Sequence, residues 1–308
     1  MYVMKPADPI PTYRPDAFAN DYLVRDQPIP ADWSLSTMAS GFAAVYRIEQ
    51  VRQFFRFPIA PNRITFYDGL LLTAGTLHRQ CGLYDVQLTP NSLLVLAPDT
   101  INATDFISED VTGFYFHFDR EFFVTNLATP DLLDTCPFFE AGNEPFLNLT
   151  NEQSAWFTTL LGLTEQILRA NSPDSARGLL QALIVRATQL HQRQPESSTS
   201  SPADIRLTAA FKRLVQQQYV SWHGVSQYAD ALAVTPNHLN RVVKRTTARP
   251  ASFHVATLLI LEAKLLLKNS QLSVAEIAAK LHFDDPAYFG RFFRQQTGQT
   301  PTAYRHSA

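Results

Sequence analysis

Between about residue 40 and residue 120, apolar residues occur in short runs that are separated by turn-forming residues. The runs recur about every 8–12 residues, which is typical of an all-β sandwich or barrel. In the last run, Phe114, Phe116 and Phe118 alternate with Tyr115 and His117, as expected for a strand that buries one face. The pattern predicts strands near residues 63–67, 70–73, 84–88, 92–97 and 112–118.

Between residues 151 and 193 the apolar period becomes helical. Two stripes follow the alternating spacing of three and four residues that amphipathic helices show, and they comprise Trp156, Leu160, Leu163 and Ile167, then Ala176, Leu180, Leu183, Ala187 and Leu190. Two interpretations stay open, because such stripes can either pack on the β-rich region or join two copies of the chain. We predict a helical dimerisation segment at residues 151–193, with Leu180 and Leu183 in the contact between copies.

The chain then loses its apolar residues for a short stretch. Residues 194–202 contain only Gln, Glu, Pro, Ser and Thr, a composition typical of flexible linkers. We therefore predict a linker at residues 194–203 and a separate domain at residues 204–308.

Residues 204–308 contain an internal repeat with a helical period. Four apolar positions recur 49 residues later: Val225, Ala229, Leu232 and Val234 match Val274, Ala278, Leu281 and Phe283. Four further positions recur 50 residues later: Leu239, Arg241, Lys244 and Thr247 match Phe289, Arg291, Arg294 and Thr297. The repeat predicts two helix-turn-helix units, at about residues 222–248 and 272–298.

In each unit a capping residue followed by proline opens the second helix, at Thr235-Pro236 and at Asp285-Pro286. Each of these helices has an apolar back and a front rich in hydrogen-bond donors, which is the layout of a recognition helix in a DNA major groove. Helical spacing from residue 251 to residue 267 predicts one rigid helix between the units. Such a spacer would hold the two recognition helices for successive major grooves, about 34 Å apart.

The distribution of charge agrees with this reading. Residues 204–308 hold 13 Lys and Arg against 6 Asp and Glu, whereas residues 1–203 hold 13 against 22. A basic domain is expected where a polyanion binds.

Two further features of the composition restrict the class of protein. Cys81 and Cys136 form no CxxC pair, so we expect reduced thiols and neither a disulfide framework nor a zinc cluster. The sequence shows no secretory signal and no apolar run long enough for a membrane span. We therefore expect a cytoplasmic protein without a membrane partner.

Residues 205–306 closely resemble the AraC/XylS family of bacterial transcription regulators. The family motif appears in the second unit at residues 274–281, 285–294 and 297–301, and in the first unit at residues 228–232 and 235–241. The resemblance implies a sequence-specific, DNA-binding transcription regulator that is not an enzyme. One departure is His282, which stands where the family usually has glycine, and we expect it to adopt a positive φ without loss of the fold.

The resemblance also implies which side chains touch DNA. By position, the base-reading residues are Asn237, Asn240, Arg241, Ala287, Tyr288 and Arg291, and the phosphate-binding residues are Lys244, Arg245 and Arg294. Arginine can bind guanine through two hydrogen bonds, and asparagine can bind adenine in the same manner.

The β-rich region at residues 1–150 is similar to the cupin-type sensor domain that is common in this family. The expected fold class is therefore α+β, with an N-terminal cupin-like β-barrel, flanking helices and a C-terminal all-α double helix-turn-helix. The resemblance implies a small-molecule effector in the barrel, and Arg63, Tyr67, His78 and His117 are candidate pocket residues. The two histidines lack the spacing of metal-binding cupins, so we expect no metal and no other cofactor.

The expected partners are double-stranded DNA, the effector, a second copy of the chain and, for an activator, RNA polymerase. Two alternatives stay open for the N-terminal region. It can sense a protein partner in place of a metabolite, or it can be a cupin enzyme that is tethered to DNA.

Overall fold

The computed structural model describes residues 12–13, 41–125, 132–140, 143–193 and 201–307. The chain divides into two compact units. One comprises residues 13–59 and 63–195, and the other contains the described residues from 201 onward. Most of the predicted linker, residues 194–200, lies outside the described residues. Its predicted end is two residues late, because a helix begins at Pro202.

The N-terminal unit is built on two five-stranded sheets. Sheet A has the strand order β1-β3-β8-β5-β6, and sheet B has the order β10-β7-β4-β9-β2. The strands are β1 (Thr12–Tyr13), β2 (Ala43–Arg47), β3 (Ile59–Ile64), β4 (Tyr67–Ala74), β5 (Leu77–Cys81), β6 (Tyr84–Leu88), β7 (Ser92–Leu96), β8 (Asn102–Ile107), β9 (Thr112–Phe118) and β10 (Phe146–Asn148).

The predicted β-rich fold is confirmed, but the expected closed barrel is corrected to two separate antiparallel sheets. Strands β6, β7 and β9 lie where the apolar runs predicted them. The run at 63–67 instead spans the turn between β3 and β4. Strands β5 and β8 escaped the apolar pattern because their buried positions include polar residues, Arg79, Asn102 and Thr104.

The two faces of sheet B have different partners. The alternation in β9 is confirmed, since Phe114, Phe116 and Phe118 are buried in the core that the sheet forms with the helices of residues 151–193. Tyr115 and His117 occupy the opposite face, which looks toward sheet A. Hydrogen bonds from Arg79 on β5 to Asp68 on β4 join the two sheets across this interior.

Within the described residues, four α-helices accompany the sheets. Two are short, α1 (Ile48–Val51) and α2 (Arg120–Val124), and two are long, α3 (Asn151–Arg169) and α4 (Pro173–Arg193). Helix α3 begins with a capping box between Thr150 and Gln153.

The dimer contact predicted at Leu180 and Leu183 is wrong. Both residues are fully buried, because the apolar stripe of α4 packs against sheet B. This outcome corresponds to the packing alternative that the sequence left open. In α3 the buried stripe runs through Phe157 and Leu161, one residue later than predicted, so that Trp156 and Leu163 are exposed. The helix has apolar residues on adjacent stripes, and spacing alone fits either of them.

The C-terminal unit is entirely helical in the described residues. Its helices are α5 (Pro202–Gln218), α6 (Val225–Ala231), α7 (Pro236–Thr247), α8 (Ala251–Asn269), α9 (Val274–Lys280), α10 (Pro286–Thr297) and α11 (Pro301–His306). Helices α6 and α7 form the first helix-turn-helix unit, and α9 and α10 form the second. The predicted connecting helix is α8.

The turns of the two units share a residue with a positive φ angle. His282 has φ of 57°, as expected, and Ala233 occupies the same turn of the first unit with φ of 54°. The ends of the recognition helices also correspond, since α7 stops at Ala248 with φ of 58° and α10 stops at Gly298 with φ of 79°. The first unit therefore holds alanine where the second unit has the residue suited to a left-handed cap.

This difference predicts opposite effects from two exchanged substitutions. Ala248→Gly should raise the free energy of unfolding by about 1 kcal/mol, because a left-handed conformation strains any residue with a Cβ. Gly298→Ala should lower it by a similar amount, through φ alone, since an added Cβ would meet no atom within 4 Å. Urea denaturation would measure both effects, and two changes of the same sign would contradict this account.

Candidate nucleic-acid interface

The recognition helix of the first unit, α7, has two distinct faces. Thr235 caps it by accepting a hydrogen bond from the His238 backbone N–H at 3.2 Å, and Pro236 starts the first turn. Its back is buried through Leu239, Val242 and Val243. The exposed front presents the predicted DNA-contacting residues Asn237, Asn240, Arg241, Lys244 and Arg245.

The recognition helix of the second unit, α10, repeats this arrangement. The carboxylate of Asp285 accepts hydrogen bonds from the backbone N–H groups of Ala287 and Tyr288, at 2.8 and 3.1 Å. Phe289 and Phe293 are buried on the back. The exposed front presents the other predicted residues, Ala287, Tyr288, Arg291 and Arg294.

Asn240 has a structural partner that the sequence did not indicate. Its Oδ1 accepts a hydrogen bond from the backbone N–H of Ala251 at 3.0 Å, which satisfies the first turn of α8. An asparagine reads adenine with its oxygen and its amide nitrogen together. With the oxygen directed at α8, the geometry makes Asn240 a poor candidate for that contact.

Arg245 is also engaged within the C-terminal unit. Its guanidinium donates to the carboxylate of Asp204 on α5. About half of the Arg245 side chain is nevertheless exposed. A phosphate contact from this residue would therefore compete with an ion pair, whereas Lys244 lies on the same exposed front, one residue earlier.

An aromatic ring lies beside the leading arginine on each recognition helix. On α7, Arg241 donates to Nδ1 of His238 at 2.9 Å. On α10, the guanidinium carbon of Arg291 lies 5.9 Å from the centre of the Tyr288 ring. Each ring precedes its arginine by three residues and so shares its helix face. His238 was absent from the sequence-based candidates, although its match to Tyr288, 50 residues later, was a usable signal.

The connecting helix fixes both units. His254 Nε2 lies 3.0 Å from the hydroxyl of Thr247 at the end of α7, and Glu262 accepts a hydrogen bond from the Tyr219 hydroxyl at 2.7 Å. At the other end, Arg305 of α11 donates to the Leu267 carbonyl at 3.2 Å. Burial lowers the pKa of His254 to about 4, so the ring is neutral at pH 7.

In the N-terminal unit, the four predicted pocket residues do not share one site. His117 lies in the interior between the sheets, where its Nδ1 is 3.0 Å from Asp68 Oδ1. Tyr67 lies on the other face of sheet B and stacks on Phe118 at 5.0 Å. His78 lies on the outer face of sheet A, paired with Asp85 at 2.8 Å and with Asp105 at 3.1 Å. Arg63 is half-buried in β3.

The interior instead contains a polar cluster that the sequence pattern missed, which comprises Asp68, Arg79, Asn102, Tyr115 and His117. The guanidinium of Arg79 donates to Asp68 at 2.5 Å and to Asn102 at 2.7 Å. Burial opposes ionisation of Asp68, but Arg79 and His117 outweigh it and lower the pKa of this carboxyl group. Burial raises the pKa of Tyr115 to about 12. Arg79 Nε is buried and has no hydrogen-bond partner.

Two further properties of the described residues bear on other kinds of site. They include no group of three or more His, Cys, Asp and Glu side chains that could hold a metal ion. None of their single helices has the length and apolar content to cross a membrane, although α7 and α8, bent by 76°, meet both criteria as a pair.

The chain is similar to known transcription regulators. A family model described as a helix-turn-helix domain matches residues 228–307. The chain is 28% identical over 143 residues to YijO, an uncharacterized HTH-type transcriptional regulator of Escherichia coli (strain K12), a match that covers 46% of this chain and 50% of YijO. It is 26% identical over 127 residues to the HTH-type transcriptional activator RhaR of Yersinia pestis bv. Antiqua (strain Angola), with 41% and 43% covered.

Among solved structures, ToxT from Vibrio cholerae is 13% identical, with a TM-score of 0.39 over 86% of this chain and 98% of ToxT. The chain spans half the length, or less, of the curated relatives it matches.

Proposed function

We propose that this chain, whose C-terminal region is an AraC-type helix-turn-helix domain, is a sequence-specific, DNA-binding transcription regulator. One observation carries the proposal. Two capped recognition helices present arginine at equivalent positions, Arg241 and Arg291, on fronts that are free of buried residues. The mostly buried helix α8 separates them, and we propose that it holds the two fronts at the spacing of successive major grooves.

The positions of the basic residues along each recognition helix divide the DNA contacts into two kinds. Arg241 and Arg291 lie in the first two turns of their helices, the part that meets base edges in a major groove. Lys244 and Arg294 follow one turn later and suit the phosphates, which set affinity but carry no sequence information. For Arg245, a phosphate would compete with Asp204 for the guanidinium.

The two kinds of contact predict different effects of substitution. Arg291→Ala should cost about 1–3 kcal/mol on the preferred site and relax the preference at one base pair. Arg294→Ala should weaken binding to all sequences and reduce the salt slope by about one. Fluorescence anisotropy on duplexes selected from a randomised pool would measure both. An Arg291→Ala variant with the parental base preference would contradict the assignment.

We also propose that a small-molecule effector controls the regulator from the interior polar cluster. Buried charges are costly unless they are fully paired, and Arg79 retains an unpartnered Nε between the sheets. Asp68, Asn102 and His117 supply further donors and acceptors beside the ring of Tyr115. A few convergent polar groups within an otherwise apolar interior are typical of a ligand site.

The two isolated histidines provide a matched test of this location. In a thermal-shift screen of sugars, organic acids and amino acids, compounds that raise the Tm of the parent should fail to raise that of His117→Phe, because His117 lies in the cluster. The same compounds should still raise the Tm of His78→Phe, since His78 lies on the outer face of sheet A. A compound whose effect is lost only in His78→Phe would place the effector elsewhere.

A second copy of the chain is the third partner that we propose. Trp156 and Leu163 are 41% and 44% exposed on α3, and they stand seven residues apart beside half-buried Leu160 and Ile167. Residues at this spacing form a stripe along one side of a helix. Two copies of the stripe can pair around a two-fold axis, as in most homodimers.

The stripe predicts the outcome of a sedimentation experiment. The double substitution Trp156→Gln and Leu163→Gln should leave the fold intact, because both side chains are exposed, and should weaken self-association at least tenfold. Phe106→Gln is the control, since Phe106 on β8 is 53% exposed but lies outside α3. A parent that sediments as a monomer, or a double variant with the parental dissociation constant, would exclude this interface.

The remaining partners follow from the regulatory role. A regulator of this kind works in the cytoplasm, and as an activator it would also contact RNA polymerase. A partner protein that binds the N-terminal unit is the alternative to an effector. It would be favoured if no small molecule in the screen changes the Tm of the parent.

A further inference from the structure

The leading arginine of α10 lies beside a carboxylate, whereas that of α7 donates to a histidine nitrogen. Arg291 Nη2 lies 3.5 Å from Asp285 Oδ2, and the guanidinium carbon lies 5.9 Å from the centre of the Tyr288 ring. Asp285 is itself fixed, because its carboxylate accepts two backbone hydrogen bonds at the start of the helix. The Arg291 guanidinium therefore lies beside a carboxylate that the first turn of the helix holds in place.

Folding does not account for this ion pair. The Arg291 and Asp285 side chains are 68% and 57% exposed, and ion pairs that are exposed to this extent contribute little to stability. Binding can account for it, since an arginine that is ordered beforehand loses less conformational entropy when it meets a base. Asp285 is thus suited to positioning Arg291 for a contact with DNA.

Tyr288 adds a second reading element. Its ring is 55% exposed, more than any other large apolar side chain described in the chain. Tyr288 and Arg291 are three residues apart, so their Cβ atoms lie about 5–6 Å from each other on one face. Successive base pairs are stacked about 3.4 Å apart, and the two side chains can therefore address adjacent pairs.

We infer that α10 reads a thymine adjacent to a guanine, with Tyr288 against the thymine methyl group, Arg291 on the guanine, and Asp285 as the residue that positions Arg291. The inference rests on the proposed function and adds the base step and a specificity-determining residue to it. Guanine offers the two acceptors that a guanidinium fits, and the thymine methyl is the apolar feature of the major groove. Asp285 touches no base and acts through Arg291.

The first unit supplies the matched variant for Asp285. Thr235 occupies the equivalent position on α7 and caps that helix through its hydroxyl, without a carboxylate. Asp285→Thr should therefore keep the helix cap and release Arg291. Asp284→Asn is the control, since Asp284 is exposed one residue earlier and forms no ion pair with Arg291 in the described structure.

The experiment uses the full chain and duplexes that it selects from a randomised pool. The parent should enrich adjacent thymine and guanine in one half of the site. Replacing that thymine by uracil, which removes only the methyl group, should weaken the parent about threefold. Tyr288→Ala should bind the two duplexes equally while it still requires the guanine.

The variants of the acidic residues separate positioning from simple charge. Both variants lose one negative charge near DNA, so both should bind random duplex somewhat more tightly. Only Asp285→Thr should also lower the ratio of selected to random affinity, by about tenfold. Circular dichroism would confirm that the helix content is unchanged, and Asp285→Asn, which keeps an acceptor at the cap, provides a second variant without the charge.

Three results would overturn the inference. They are a Tyr288→Ala variant that still distinguishes thymine from uracil, an Asp285→Thr variant with the affinity ratio of Asp284→Asn, and a parent that selects a site without this step. A parent that enriches no sequence would overturn the proposed function as well, so the two failures are distinguishable.

Discussion

The DNA-binding architecture depends on the burial of one helix along most of its length. Helix α8 is apolar around most of its circumference, with Val255, Leu259, Ala263 and Leu266 among a long series of buried residues. A helix that is hydrophobic on all sides must be covered on all sides. The elements that pack against it are the two helix-turn-helix units together with α5 and α11. Hydrophobic burial is a non-directional interaction. By packing both units against one helix, it nevertheless fixes the spacing of the two recognition helices without requiring a direct contact between them.

Polar contacts supply the direction that burial lacks. His254 and Glu262 are buried on α8. His254 meets the hydroxyl of Thr247 at the end of α7, Glu262 meets the hydroxyl of Tyr219 at the end of α5, and Arg305 meets the carbonyl of Leu267 at the far end. A buried polar group without its partner costs more than an exposed one, so each contact penalises rotation of α8 about its axis. The neutral state of His254 fits this role, because a buried imidazolium would need an opposite charge.

The sequence predicted the C-terminal unit far better than the N-terminal one, and the physical reason lies in how each signal arises. The repeat at 49 and 50 residues, the caps at Thr235 and Asp285, and the positive φ at His282 are local features that a chain shows without its fold. The interior polar cluster is a non-local feature. Asp68, Arg79 and Asn102 come together only through strand pairing and the facing of two sheets, and of the two candidate histidines only His117 lies beside them.

The same limit applies to the helical segment and to the recognition helices. The spacing of apolar residues alone cannot tell which of two adjacent apolar stripes faces a sheet. In α3 the stripe that contains Phe157 and Leu161 is the buried one. Likewise, position on a helix front cannot show that Asn240 is directed to the start of α8, or that Arg245 meets Asp204. The two units share a backbone plan, but the side chains around Arg241 and Arg291 differ, with a histidine nitrogen beside one and a carboxylate and a phenol ring beside the other. A duplicated fold therefore provides two equivalent positions for arginine, and the neighbours of each arginine decide how the two halves of the interface come to differ.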